Sequence, residues 1–187
     1  NVLPETQAKA TFSHTFVNDR TTAKIHIYKV DKETGKAVPQ GDASLSGAVY
    51  GLYAREVINH PDGATGVMFN AGDLVATLTT DEKGEAEVNN LYLGKYYVKE
   101  ITPSEGYLLD EEEHDVVCDY EGDLVAEVSR STTSAEQVIK QPFQLIKVSD
   151  NGDDTEAGLL AGAEFTAYLK SSLSVKADGS YDFDKAT

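Results

Sequence analysis

Two residues of this chain combine reactive chemistry with an unusual place. Lys29 closes the alternating run Ile25, Ile27, Lys29 in "KIHIYKV", and Glu100 closes the run Tyr96, Val98, Glu100 in "GKYYVKE". Side chains of a strand alternate between its faces, so each of the two shares a face with apolar neighbours. Burial pushes an ammonium toward the neutral amine and a carboxylate toward the neutral acid. A lysine at a strand end can instead snorkel, with its head in water. If both groups stay inside, two outcomes are open. One is a buried ion pair. In the other, the neutral amine attacks a nearby Asn or Asp side chain while Glu100 shuttles protons and polarises the carbonyl. That leaves an amide between strands. It restricts the unfolded chain as a disulfide does, by roughly a few kcal/mol, and needs no oxidising compartment.

The elements that must position these groups are strands. Period-two runs occur at 9–17, 24–30, 48–54, 73–80, 85–93, 94–102, 115–120, 123–129 and 135–141, and no long segment holds a helical period. In the first run, Ala10, Phe12 and Phe16 fall on one face. Asp81-Glu82-Lys83-Gly84 marks a hairpin turn, and 55–72 reads as a long loop or small insertion. Many short strands separated by turn signals predict an antiparallel β-sandwich.

The chain also repeats itself. "IYKVDKETG" followed by "LSGAVYGLY" returns as "LIKVSDNGD" followed by "LAGAEFTAY". Lys29 then matches Lys147, Gly47-Ala48 matches Gly162-Ala163, Tyr50 matches Phe165 and Tyr53 matches Tyr168. Phe143, Leu145 and Lys147 share a face as Ile25, Ile27 and Lys29 do. Tandem modules account for this. The expected division is a terminal strand of a preceding module or linker at 1–21, a complete module at 22–141, and the first part of a following module at 142–187.

Composition narrows the function. The 187 residues carry a formal net charge of −16 and about 40% apolar residues, with no tryptophan. Acid spread along the chain disfavours nucleic acid and anionic membranes. Cys118, the single cysteine, sits among Val116, Val117 and Tyr120 and reads as a buried thiol. No signal-peptide pattern, membrane-spanning run or lipidation motif occurs, so no membrane insertion is expected within this segment. "LPETQ" at 3–7 resembles a Leu-Pro-x-Thr-Gly sorting signal, but Gln7 replaces the glycine and no hydrophobic tail follows. "LLDEEEHDVV" reads as a solvated edge rather than a cation site. "SDNGDDTE" reads as a turn rather than a calcium loop. The histidines at 14, 26, 60 and 114 lack metal-ligand spacing. No metal, cofactor or turnover chemistry is expected.

Three blocks together resemble the B-type repeats of collagen adhesin (Cna_B-like) and SpaA-type pilins of Gram-positive bacteria. They are "IYKVDKETG", "LSGAVYGLY" and "GKYYVKEITPSEGY", spanning most of 24–107. The resemblance implies a prealbumin-like, inverse immunoglobulin-type sandwich. It places Lys29 at the crosslinking lysine, Glu100 at the catalytic glutamate and Gly106-Tyr107 at the closing pair. The family's acceptor is an Asn or Asp in the last strand, close before a proline. Here Lys140 stands at that place, two residues before Pro142, and no Asn or Asp lies between Asp123 and Asp150. The acceptor of 22–141 is therefore left open. Asn18 sits at an acceptor-like place for a preceding module, and Lys147 is the candidate lysine of the following one. The implied role is a stalk or pilus-like segment of an extracellular, cell-wall-anchored protein, with neighbouring modules of the same protein as partners. The alternative is an adhesin module binding a host protein or glycan, with Tyr53, Tyr97 or Tyr107 as exposed contacts.

Overall fold

A computed structural model of the chain describes residues 12–15, 18–150, 162–184 and 186. The sorting-like "LPETQ", Ala10, Phe16 and most of "SDNGDDTE" lie outside the described residues. Within them the regular structure is β, apart from a short 3-10 turn at Lys170–Ser172.

The strands are β1 (Thr22–Asp31), β2 (Val49–Ala54), β3 (Ile58–Asn59), β4 (Val67–Phe69), β5 (Leu74–Thr79), β6 (Glu85–Leu91), β7 (Gly94–Thr102), β8 (His114–Cys118), β9 (Glu127–Glu136), β10 (Ser174–Val175) and β11 (Tyr181–Asp182). One sheet has the order β6-β1-β9 and the other β5-β2-β7-β8. Ile25, Ile27 and Val128 of the first sheet pack against Tyr50, Leu52, Tyr96, Val98, Val116 and Cys118 of the second, all buried. The alternation of β1 is strict: Ala23, Ile25, Ile27 and Lys29 are each fully buried. Burial of apolar side chains at about 25 cal/mol per Å² drives the two faces together.

Several local expectations change in three dimensions. The sandwich is antiparallel except at one ladder: β1 and β9 run parallel, with Lys29 opposite Ser134 and Asp31 opposite Glu136. The two runs expected at 123–129 and 135–141 are not two strands. They contribute to one strand, β9, which ends at Glu136; just past it, Val138 makes an isolated bridge to Tyr107. The 55–72 insertion carries its own small hairpin, β3 with β4. The part of 9–17 that is described, 12–15, is exposed and not in a strand. Tyr107, expected among exposed aromatics, is 2% exposed, because it closes a second small cluster with Leu45 and Val138.

Gly84 decides how β1 meets β6. Its φ is +76°, which closes the Asp81–Gly84 turn, and a Cβ there would lie 2.7 Å from the Lys29 carbonyl oxygen. Its carbonyl accepts the Lys29 N–H at 2.7 Å. The Lys29 backbone is thus held on both edges, by the turn and by β9.

Candidate functional site

The site lies where the inner faces of the two sheets meet. The β6-β1-β9 sheet supplies Lys29, Ser134 and Glu136, and the other sheet supplies Tyr50 and Glu100, which stand opposite each other across the β2–β7 ladder. Lys29, Glu100, Ser134 and Glu136 are all buried. In β7 the inward series ends at Glu100, because both Ile101 and Thr102 turn to solvent after it. The sandwich end is then closed by the Ser104–Tyr107 turn, which the segment after β9 grips: Leu108 N–H bonds Gln137 O at 2.9 Å and Ile139 N–H bonds Gly106 O at 2.8 Å.

Lys29 Nζ is 3.6 Å from Glu100 Oε1 and lies directly against Glu136 Oε2. These three atoms face one another and take no other hydrogen-bond partner. The remaining oxygens are anchored. Glu100 Oε2 accepts the Asp110 N–H at 2.8 Å. Glu136 Oε1 accepts the Tyr50 hydroxyl and lies 3.2 Å from the Ser134 hydroxyl. Ser134 also reaches Asp110 Oδ2 at 2.9 Å, and His114 Nε2 is 2.9 Å from that same oxygen. The Tyr107 ring covers the amine, 4.6 Å from its centroid, and the Tyr107 hydroxyl donates to Asp31 Oδ2 at 3.2 Å. Asp31 is itself buried and accepts the Glu33 and Thr34 N–H groups, which folds the "DKETG" turn back onto the site.

The electrostatics follow from burial. Loss of water lowers the Lys29 pKa, against the pull of Glu100. The same desolvation raises Glu100, against the Asp110 N–H bond and the Lys29 charge. Burial also raises the Tyr50 hydroxyl, keeping it a proton donor. For Asp110 burial pulls upward, but bonds from His114, the Glu112 N–H and Ser134 outweigh it and hold the pKa low. One cation facing two carboxylates cannot be neutral if all three ionise. At least one acid in this chamber is favoured in its protonated form.

Lys29 and Glu100 are thus brought together as the sequence suggests. The remaining candidates lie elsewhere. Lys140 is exposed and pairs with Glu33 Oε1 at 2.7 Å, and that contact with bonds from Gln40 and Gln137 lowers Glu33 to about 2. Gln137 is turned to Glu33 as well, at 2.8 Å. Lys147 is exposed and outside any ladder, as are Phe143 and Leu145, and Asn18 is exposed. Sequence reasoning missed Glu136, Tyr50 and Ser134. The face of β9 that carries Glu136 reads Val128, Arg130, Thr132, Ser134, Glu136, with Arg130 and Thr132 half-exposed, so hydropathy alternation carries almost no signal there. Among the described residues no group of three or more His, Cys, Asp or Glu could hold a metal ion, and no helix is long and apolar enough to cross a membrane.

Two facing sheets in this strand order, with first and last strands side by side, define a prealbumin-like sandwich. The chain belongs to the SpaA prealbumin-like fold domain family, which matches residues 23–132. Among solved structures it is similar to the Bacillus anthracis TIE protein, at 24% identity over 64% of this chain and 18% of that one, with a TM-score of 0.43. It is similar to the group B streptococcus pilus 2b backbone protein at 23% identity, over 65% of this chain and 43% of that one, TM-score 0.44. A minor pilin of Streptococcus agalactiae matches at 22% identity, over 68% and 49% of the two chains, TM-score 0.42. The chain spans less than half the length of each of these proteins. No curated protein matches it.

Proposed function

We propose that this chain is a structural stalk segment of an exported, wall-anchored, pilus-like protein of a Gram-positive cell, joined end to end with modules of its own kind. The observation that carries the reading is the parallel β1–β9 ladder, together with the SpaA family match. The chain enters the sandwich at the start of β1 and leaves it at the end of β9, at opposite ends of that ladder. A pull on the two ends therefore loads its hydrogen bonds in shear, together rather than one at a time. The finer reading is that Lys29 and Glu100 serve an internal amide bond, formed once and not turned over. The lowered Lys29 and raised Glu100 pKa values favour the neutral amine and neutral acid that such chemistry uses.

Single-molecule stretching through the chain ends, between reference domains of known strength, tests the stalk role. The module is expected to outlast the reference domains. A module that gives way first rules the stalk role out. A second reading, a binding module for a host protein or glycan, draws on Tyr53 and Tyr97. These rings stack 5.1 Å apart on the outer sheet face, with Arg55 4.0 Å over Tyr97. Retention of the chain on a glycan or matrix-protein array, lost on Tyr97→Ala, would favour it.

A further inference from the structure

We propose that the acceptor of the Lys29 crosslink is Glu136, a carboxylic acid, so that the module closes by loss of water. This rests on the reading of Lys29 and Glu100 as crosslinking groups and supplies the partner that the last strand lacks in sequence. The placement comes from the parallel ladder. Lys29 faces Ser134, and Glu136 is two residues further on the same face, within reach of the amine. The amides nearest in sequence do not compete. Gln137 bonds Glu33 and the Val138 carbonyl, on the outside of the sandwich.

The geometry around Glu136 divides its two oxygens by role. Oε2 faces the amine and has no hydrogen-bond partner. Oε1 is held by the Tyr50 hydroxyl, with Ser134 at 3.2 Å. A neutral Lys29 amine attacks Cδ of the protonated Glu136 carboxyl, forming the N–C bond. Negative charge gathers on Oε1, where the Tyr50 hydroxyl already points. Glu100, in its neutral form and 3.6 Å from Nζ, gives its own proton to the Oε2 hydroxyl as it takes one from the amine. The C–Oε2 bond breaks, one water leaves and the amide remains. Amine plus acid becomes amide plus water, and Glu100 ends as it began. In bulk water the ionised reactants are well solvated and resist this condensation. In this chamber ionisation is penalised on both partners, which removes that resistance.

An amide here changes how force travels. It joins β1 to β9 near the ends of both strands, so a pull would pass from Lys29 straight to Glu136. Residues 30–135, the greater part of the sandwich, would carry none of it.

The test is the intact mass of the full chain, followed by tandem mass spectrometry of a tryptic digest. The expected result is a chain one water lighter than its sequence. A branched peptide should join 25–32, uncut at Lys29, to 131–140 through Glu136. A full sequence mass overturns both this assignment and the crosslink reading, and leaves the stalk role to the stretching experiment. A branched peptide from Lys29 to any other residue overturns Glu136 alone. Glu136→Gln gives an independent check, because its leaving group is ammonia. A deficit of one ammonia, or none, supports the assignment. A persisting deficit of one water overturns it.

Discussion

Replacing Lys29 by Met separates a covalent link from a buried ion pair, because the two respond differently to acid. If Lys29 and Glu136 are joined, the substitution opens a loop of roughly a hundred residues, worth about 4.7 kcal/mol in chain entropy. It also frees Glu136 as a buried acid with no cation beside it. The cost of that acid is capped by protonation. A carboxyl of ordinary pKa 4.5 taken neutral at neutral pH costs about 3.4 kcal/mol, and at about pH 5 only about 0.7 kcal/mol. The sign follows from the burial. A carboxyl whose folded pKa is raised binds its proton more tightly in the folded state, so its penalty is fully present above the folded pKa and fades as the pH falls toward the unfolded value.

The parent-minus-variant difference is therefore expected to be about 8 kcal/mol at neutral pH and about 5 kcal/mol at about pH 5. The second figure corresponds to a fall in Tm of about 15–20 °C for a domain of this size. Thermal unfolding of parent and variant followed by circular dichroism at both pH values reads this directly, and acid effects common to both chains cancel. An unlinked ion pair leaves only the titrating part. A difference that collapses to about 1 kcal/mol or less at about pH 5 would refute the covalent argument.

Two further outcomes probe the surroundings. Gly84→Ala puts a Cβ at a φ of +76° and 2.7 Å from the Lys29 carbonyl oxygen, so it is expected to cost about 2 kcal/mol or more in chemical denaturation. An Ala variant as stable as the parent would show that the turn does not hold β1. Burial pushes the Cys118 thiol up to about 11 from its ordinary 9.0. The folded chain should therefore resist a thiol-titrating reagent at about pH 8 and react fully in denaturant. Stability should also decline as the pH rises through that interval, because the folded thiol keeps its proton longer. Rapid labelling of the folded chain would contradict the buried placement.

Much of this architecture is written in local pattern. The run Ile25, Ile27, Lys29 and the run Tyr96, Val98, Glu100 each announce a strand, its inward face and a charged residue on that face. Period two leaves no other place for them once one face is buried. The apolar neighbours of Cys118 likewise foretold its burial. The partner of Lys29 was not legible in the same way. β9 buries Ser134 and Glu136 on the face that Val128 begins, with Arg130 and Thr132 half-exposed between them, so its alternation is polar on both faces. Glu136 acquires meaning only from the register of a parallel ladder whose strands lie a hundred residues apart in the chain. Tyr107 shows the same division: its local sequence marks a turn, and only the segment after β9 folding back over it makes it the lid of the chamber. Local periodicity determines which way a side chain points, because that depends on the residue's own backbone. Which groups then share a dry space depends on strand order and register, which the packing of the whole sandwich decides.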